Sequence, residues 1–280
     1  MQPSFQQFLQ TLILATLLAL SLNAYADQGP RRGSRTGVID QASARLSTST
    51  EDRVIIQRRR TVLTRPPKIA RQFPNRKTAV VVYPVVAGLS DPSVLRKVRS
   101  AISFKNIFDY SLDEYRNDSW LSEFSYVVNY NRNYMLDITF TQSGMGAYPD
   151  EHQKHFLIDL RDGHIVKARD VFEPGKLGAL SVLVDRELQR EIQRLSKENA
   201  SSNETDTDQK ESISGAYENL KFEAQNLDDF VVGAKGVTFL YDAGFPHMVQ
   251  AGEPEGRYFF AYAALSDYIK RDGLLGRFKR

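Results

Sequence analysis

The 280-residue chain contains no cysteine, which excludes disulfides, thiolate metal sites, a cysteine nucleophile and lipid attachment through a cysteine. Its first 26 residues carry no charged side chain, and no apolar run like that of residues 8–22 recurs later. Catalytic signatures are also missing. Gly144-Met145-Gly146 holds no serine, and Ser143 lacks the flanking glycines of a nucleophile elbow. Gly233-Ala234-Lys235-Gly236 does not have the spacing of a phosphate loop. Acyl transfer on an elbow serine and P-loop nucleotide chemistry therefore have no support. No cofactor motif is present, and none is expected.

What is present begins with an export signature. Residues 8–22 form an apolar run of 15, shorter than the ~20 residues that span a bilayer comfortably. Ala24-Tyr25-Ala26 follows as a small-x-small cleavage site. The expectation is a signal peptide over residues 1–26, cleaved near Ala26, and a periplasmic or secreted protein with no transmembrane segment afterwards. An uncleaved anchor is the alternative, although Arg31, Arg32 and Arg35 lie just beyond the run, where the positive-inside rule disfavours them. Residues 27–77 carry 13 Lys and Arg against 4 Asp and Glu, so the remainder of the chain is acidic. This stretch reads as a basic flexible arm, with residues 54–56 and 61–63 as the only strand-like pieces. Such an arm suits an anionic surface; its plainer role is a solvated linker. Nucleic acid is not expected, because the arm lacks regularly interleaved aromatics.

With 41% hydrophobic residues the chain can bury a sizeable core. Residues 78–86 are β-branched and read as a buried strand; Asp91-Pro92 opens a helix with a capping side chain. Residues 124–130 and 134–140 alternate in period two about a polar turn, which predicts a hairpin. A second hairpin is expected about Asp162-Gly163, and a third over residues 230–241. Leu177, Leu180, Val184, Leu188, Ile192 and Leu195 form one helical stripe. Residues 196–215 read as a flexible polar loop. A strand with Tyr258, Phe260 and Tyr262 and a short helix over residues 265–270 follow. The predicted fold is α+β, a mostly antiparallel sheet built from hairpins with two main helices packed on one face, over residues 78–270. Residues 271–280 are left as a tail.

The order of these pieces resembles the extracytoplasmic domain of RsiV-type anti-sigma factors and the accessory domain of PdaC-type peptidoglycan deacetylases. The resemblance rests on Val80-Val81-Val82-Tyr83-Pro84, Ala87-Gly88-Leu89, Gly146-Ala147-Tyr148-Pro149, Asp159-Leu160, Asp170-Val171-Phe172 and Gly236-Val237-Thr238-Phe239, with Gly252, Tyr262 and Leu265. It implies an accessory envelope domain, which in the anti-sigma factor binds lysozyme. Neither a sigma-binding segment nor a deacetylase domain is read in this chain, so no functional residue is carried over.

The histidines are His152, His155, His164 and His247. His152 and His155 stand beside Asp150 and Glu151; such a group could hold a divalent metal, or be an ordinary polar loop, and no metal site is assigned. Carboxylate pairs at Asp113-Glu114 and Asp228-Asp229 fit glycosidase chemistry only across a cleft. Trp120, Tyr126 and Tyr130 fit a sugar platform or, more simply, a sheet core. The reading is a non-enzymatic binding domain for a cell-wall glycan or an envelope protein, including one resembling lysozyme. Its contact surface is expected on a loop holding Gly144, Gly146, Tyr148, Asp150, His152 and His155. The alternatives are an envelope hydrolase with a carboxylate or histidine site, and a scaffold docked by its arginine-rich arm.

Overall fold

The computed structural model describes residues 52–117, 121–145, 149–202 and 207–279. The export signature and the first half of the basic arm lie outside them. Among the described residues no helix is long and apolar enough to cross a membrane.

Two antiparallel-rich sheets with attached helices make up the α+β fold. The first has the strand order β1-β2-β3-β4-β5: Ile55–Thr64, Thr78–Ala87, Leu121–Arg132, Met135–Met145 and Pro149–Asp159. Only β2 and β3 run parallel, and the crossover between them carries three helices. Helix α1 (Pro67–Gln72) joins β1 to β2, while α2 (Pro92–Ala101), α3 (Phe104–Phe108) and α4 (Leu112–Asn117) form the crossover. Asp91 caps α2, its side chain accepting from the Ser93 N–H at 2.7 Å. Val98 and Ile102 reach the core that Phe124, Ile138, Phe140, Phe156 and Ile158 supply from one face of the sheet. The β3–β4 turn is Asn133-Tyr134, both at positive φ, as a two-residue type I′ hairpin demands.

The second sheet contains β6 (Phe230–Val232), β7 (Gly236–Leu240) and β8 (Arg257–Ala261). It follows α5 (Ala168–Val171), α6 (Leu177–Ser201) and α7 (Thr207–Tyr217), and precedes α8 (Tyr262–Leu265). The stripe Leu180, Val184, Leu188 and Ile192 of α6 packs with Phe222, Phe230, Phe239 and Phe260 in a second core. Met135 and Leu157, on the other face of the first sheet, join that core. The helices α2 and α6 therefore serve different cores, where one sheet with both helices was expected.

Four further expectations need correction. The arm is not flexible over its second half, because β1 pairs with β2 along its full 10 residues and Leu63 is buried. Arg65 is buried too, its guanidinium donating to the carbonyls of Tyr115, Arg116 and Leu121. The stretch 196–215 is largely helical: α6 runs to Ser201, and α7 is pinned by buried Ile213 and Tyr217. The hairpin about Asp162-Gly163 reduces to a single bridge, Ile158 to Ile165. Finally the tail is packed, with Leu275 buried and the Phe278 ring stacked on Tyr262 at 4.1 Å.

Candidate functional site

The segment expected to be a contact loop is a pair of strands. Gly144 lies in β4 and its backbone partner Asp150 in β5. Gly146 and Tyr148 lie outside the described residues. Strand geometry then separates the two histidines, since residues three apart point to opposite faces. His152 sits opposite Gln142, on the face covered by α2–α4, and His155 opposite Thr139 on the other. They cannot join in one His-x-x-His chelate. His164 sits apart, its Nδ1 2.6 Å from Asp162, and His247 begins a 3₁₀ turn. Asp162 and His164 approach Asp159, but the Arg161 guanidinium already engages that carboxylate at 2.6 Å.

His155 is the centre of the candidate site. Along its face of the sheet, Met135 and Leu157 are covered by the second sheet, whereas Gln153 and Glu151 are open to solvent. His155 and Asp137 lie at the boundary. Asp137 is fully buried, and a buried carboxylate must collect donors. Its Oδ1 accepts from Asn129 Nδ2 at 2.8 Å and from His155 Nε2 at 2.8 Å; its Oδ2 accepts from the Val232 N–H at 2.6 Å. The second ring nitrogen of His155, Nδ1, lies 3.5 Å from Asp229 Oδ1. The His155 side chain is 5% exposed and that of Asp229 60%.

Burial alone would push the His155 pKa down, but the hydrogen bonds and charges of Asp137 and Asp229 outweigh it and raise the value to about 9. The ring is thus an imidazolium near neutral pH, donating from Nε2 to Asp137 and facing Asp229 with Nδ1. In that state it has no lone pair to offer a metal or a proton. The arrangement ties β4, β5 and β6 together and holds one positive charge between two carboxylates.

Above His155 opens a groove of about 710 Å³, lined by Glu151, Asp229, Tyr241, Phe245, Glu253 and Arg257, among others. Asp242 and Glu255 also line it, so carboxylates outnumber cations. Some are positioned by the backbone: the Phe245 N–H donates to Glu253 at 3.2 Å and the Gly244 N–H to Asp242 at 2.8 Å. The paired carboxylates noted in the sequence part company. Asp228 accepts from the Ala168 N–H at 2.9 Å while Asp229 turns to His155, and Asp113 pairs with Arg116. Tyr126 and Tyr130 pack against Phe140 and Phe278 rather than forming a platform, and Trp120 lies outside the described residues.

Two DUF3298 family proteins are among the solved structures similar to the chain. One is a member of the DUF3298 family from Bacteroides fragilis, with TM-score 0.49 and 12% identity, covering 81% of this chain and 96% of that one. The other is a DUF3298 family protein from Pseudomonas aeruginosa, with TM-score 0.43 and 13% identity, covering 78% and 94%. No family model matches the chain, and no curated protein matches it. The structural neighbours are DUF3298 proteins, and the likeness to RsiV-type and PdaC-type domains remains a reading of the sequence.

Sequence reasoning singled out His155 and, separately, Asp229, but did not bring the two together and missed Asp137 and Asn129. In β4 the polar phase Asp137, Thr139, Thr141 reads as a solvent face. The usable signal was Met135 and Leu157, apolar residues in that same phase, which mark the face as partly covered.

Proposed function

We propose that the chain is an exported, non-enzymatic binding domain that presents the His155 groove to a basic partner of the cell envelope. The observation that carries this is the double carboxylate clamp on His155. A general base needs a free lone pair near neutral pH, and an imidazolium clamped on both nitrogens lacks one. With its charge fixed, the cluster shapes a field instead of moving a proton. The surplus of carboxylates around the groove favours cationic groups, and Tyr241 and Phe245 add apolar contact. The export signature of residues 8–26 and the resemblance to envelope accessory domains, one of which binds lysozyme, support the same reading.

Calorimetric titration tests it, using a basic lysozyme-like protein and soluble muropeptides as separate ligands. Binding is expected to weaken with salt and to fall at least tenfold in Glu253→Gln/Glu255→Gln, as loss of two charge contacts implies. Failure of both ligands to bind would remove the reading. Turnover of muropeptides that His155→Gln abolishes would replace it with a hydrolase.

A further inference from the structure

The opposite edge of the five-stranded sheet carries a surface of the other sign. Among the described residues β1 pairs only with β2, which leaves its outer side as a strand edge. Arg58, Arg59 and Arg60 follow one another on it, all exposed. Arg53 precedes them, and exposed Lys68, Arg71 and Lys77 follow in α1 and the turn after it. No Asp or Glu occurs from Arg53 to Ser90. Asp52, the nearest carboxylate in sequence, accepts from the Asn133 N–H at 3.0 Å. Among the described residues no ion pair neutralises Arg58, Arg59 or Arg60. At the start of the strand a groove of about 730 Å³ is lined by Arg53, Ile55, Tyr130, Asn131 and Arg132, among others.

Two features narrow what this edge meets. Ile55, 53% exposed, and Val62, 45% exposed, stand near the two ends of the strand and on opposite faces of the sheet, so they flank the arginines along the edge. A hydrophilic polyanion would leave these side chains in water, whereas a headgroup layer pairs phosphate with arginine and covers apolar groups beneath it. A second copy of the chain is disfavoured, because pairing two such edges opposes arginine to arginine. We propose that the β1 edge docks the protein on the phosphate-rich surface of an anionic lipid bilayer. Strand order then leaves β5 and the acidic groove at the far edge, about four strand spacings or ~19 Å away, facing a partner rather than the lipid.

Co-sedimentation of the full chain with phosphatidylglycerol/phosphatidylcholine vesicles and with pure phosphatidylcholine vesicles tests this. Any contribution of the apolar run at residues 8–22 is common to both lipids, so the signal is the increment due to phosphatidylglycerol. Each arginine near such a surface contributes about fivefold in affinity, so Arg58→Gln/Arg59→Gln/Arg60→Gln is expected to lose on the order of a hundredfold. High salt should remove the same increment from the unmodified protein without any substitution. Ile55→Asn/Val62→Asn is expected to weaken binding while leaving its salt dependence in place. Equal binding to both lipids, or an increment retained by the triple variant, would overturn the proposal. So would binding of soluble polyphosphate with no lipid increment, which would assign the edge to an anionic polymer.

Discussion

Removing the imidazole from the carboxylate clamp should remove one pH-dependent contribution to stability. The ordinary histidine value of 6.5 applies in the unfolded chain, and the folded value is about 9. The folded state therefore binds a proton more tightly than the unfolded state. The stabilisation from this proton is fully present below pH 6.5 and is lost as pH rises through 9. At 1.36 kcal/mol per pKa unit the shift corresponds to about 3 kcal/mol. His155 is nearly inaccessible, with 5% of its side chain exposed, so solvent screening removes little of this. Urea unfolding of the unmodified protein and of His155→Gln, measured from pH 6 to pH 10, isolates the effect. The variant is expected to be less stable by about 3 kcal/mol at pH 6, since buried Asp137 keeps only Asn129 and the Val232 N–H as donors. The two stabilities should converge as pH rises, because the unmodified protein then loses the same interaction. Other groups that titrate in this range are common to both proteins and cancel in the difference. Parallel stability curves across the range would refute the reasoning.

Three further substitutions probe the packing around the two surfaces. Arg65→Ala leaves the carbonyls of Tyr115, Arg116 and Leu121 without their buried donor and should cost about 3 kcal/mol or more in thermal unfolding. Gly163→Ala places a methyl group 2.7 Å from the Lys97 Cβ at φ +80°, and a loss of about 1–3 kcal/mol is expected in denaturant titration. Tyr217→Phe removes the hydrogen bond to the Gly252 carbonyl at 2.7 Å; a cost of about 1 kcal/mol, with faster amide exchange in α7, should follow.

Much of the sheet architecture was readable from alternation alone. Phe124 to Val128 and Leu136 to Phe140 alternate because one face meets a helix layer, and the α6 stripe repeats at three and four because it meets one core. What was not readable depended on pieces that bury little of their own. β1 hides Leu63 and little else, so three arginines dominate its composition even though β2 supplies the whole ladder. Helix α7 is anchored by Ile213 and Tyr217 within an otherwise polar run. The second sheet was visible as hairpins, but nothing local told that it would cover part of the first sheet's outer face. That covering decides the candidate site, since it turns Asp137 from a surface carboxylate into a buried one and makes His155 its partner.

Nitrogen-15 NMR of the His155 ring, followed through a pH titration, reads the charge on which the functional account rests. A doubly protonated imidazolium at pH 7 that titrates near 9 is the expected result. A neutral ring at pH 7, with one nitrogen unprotonated, would contradict it and restore His155 as a candidate base or metal ligand.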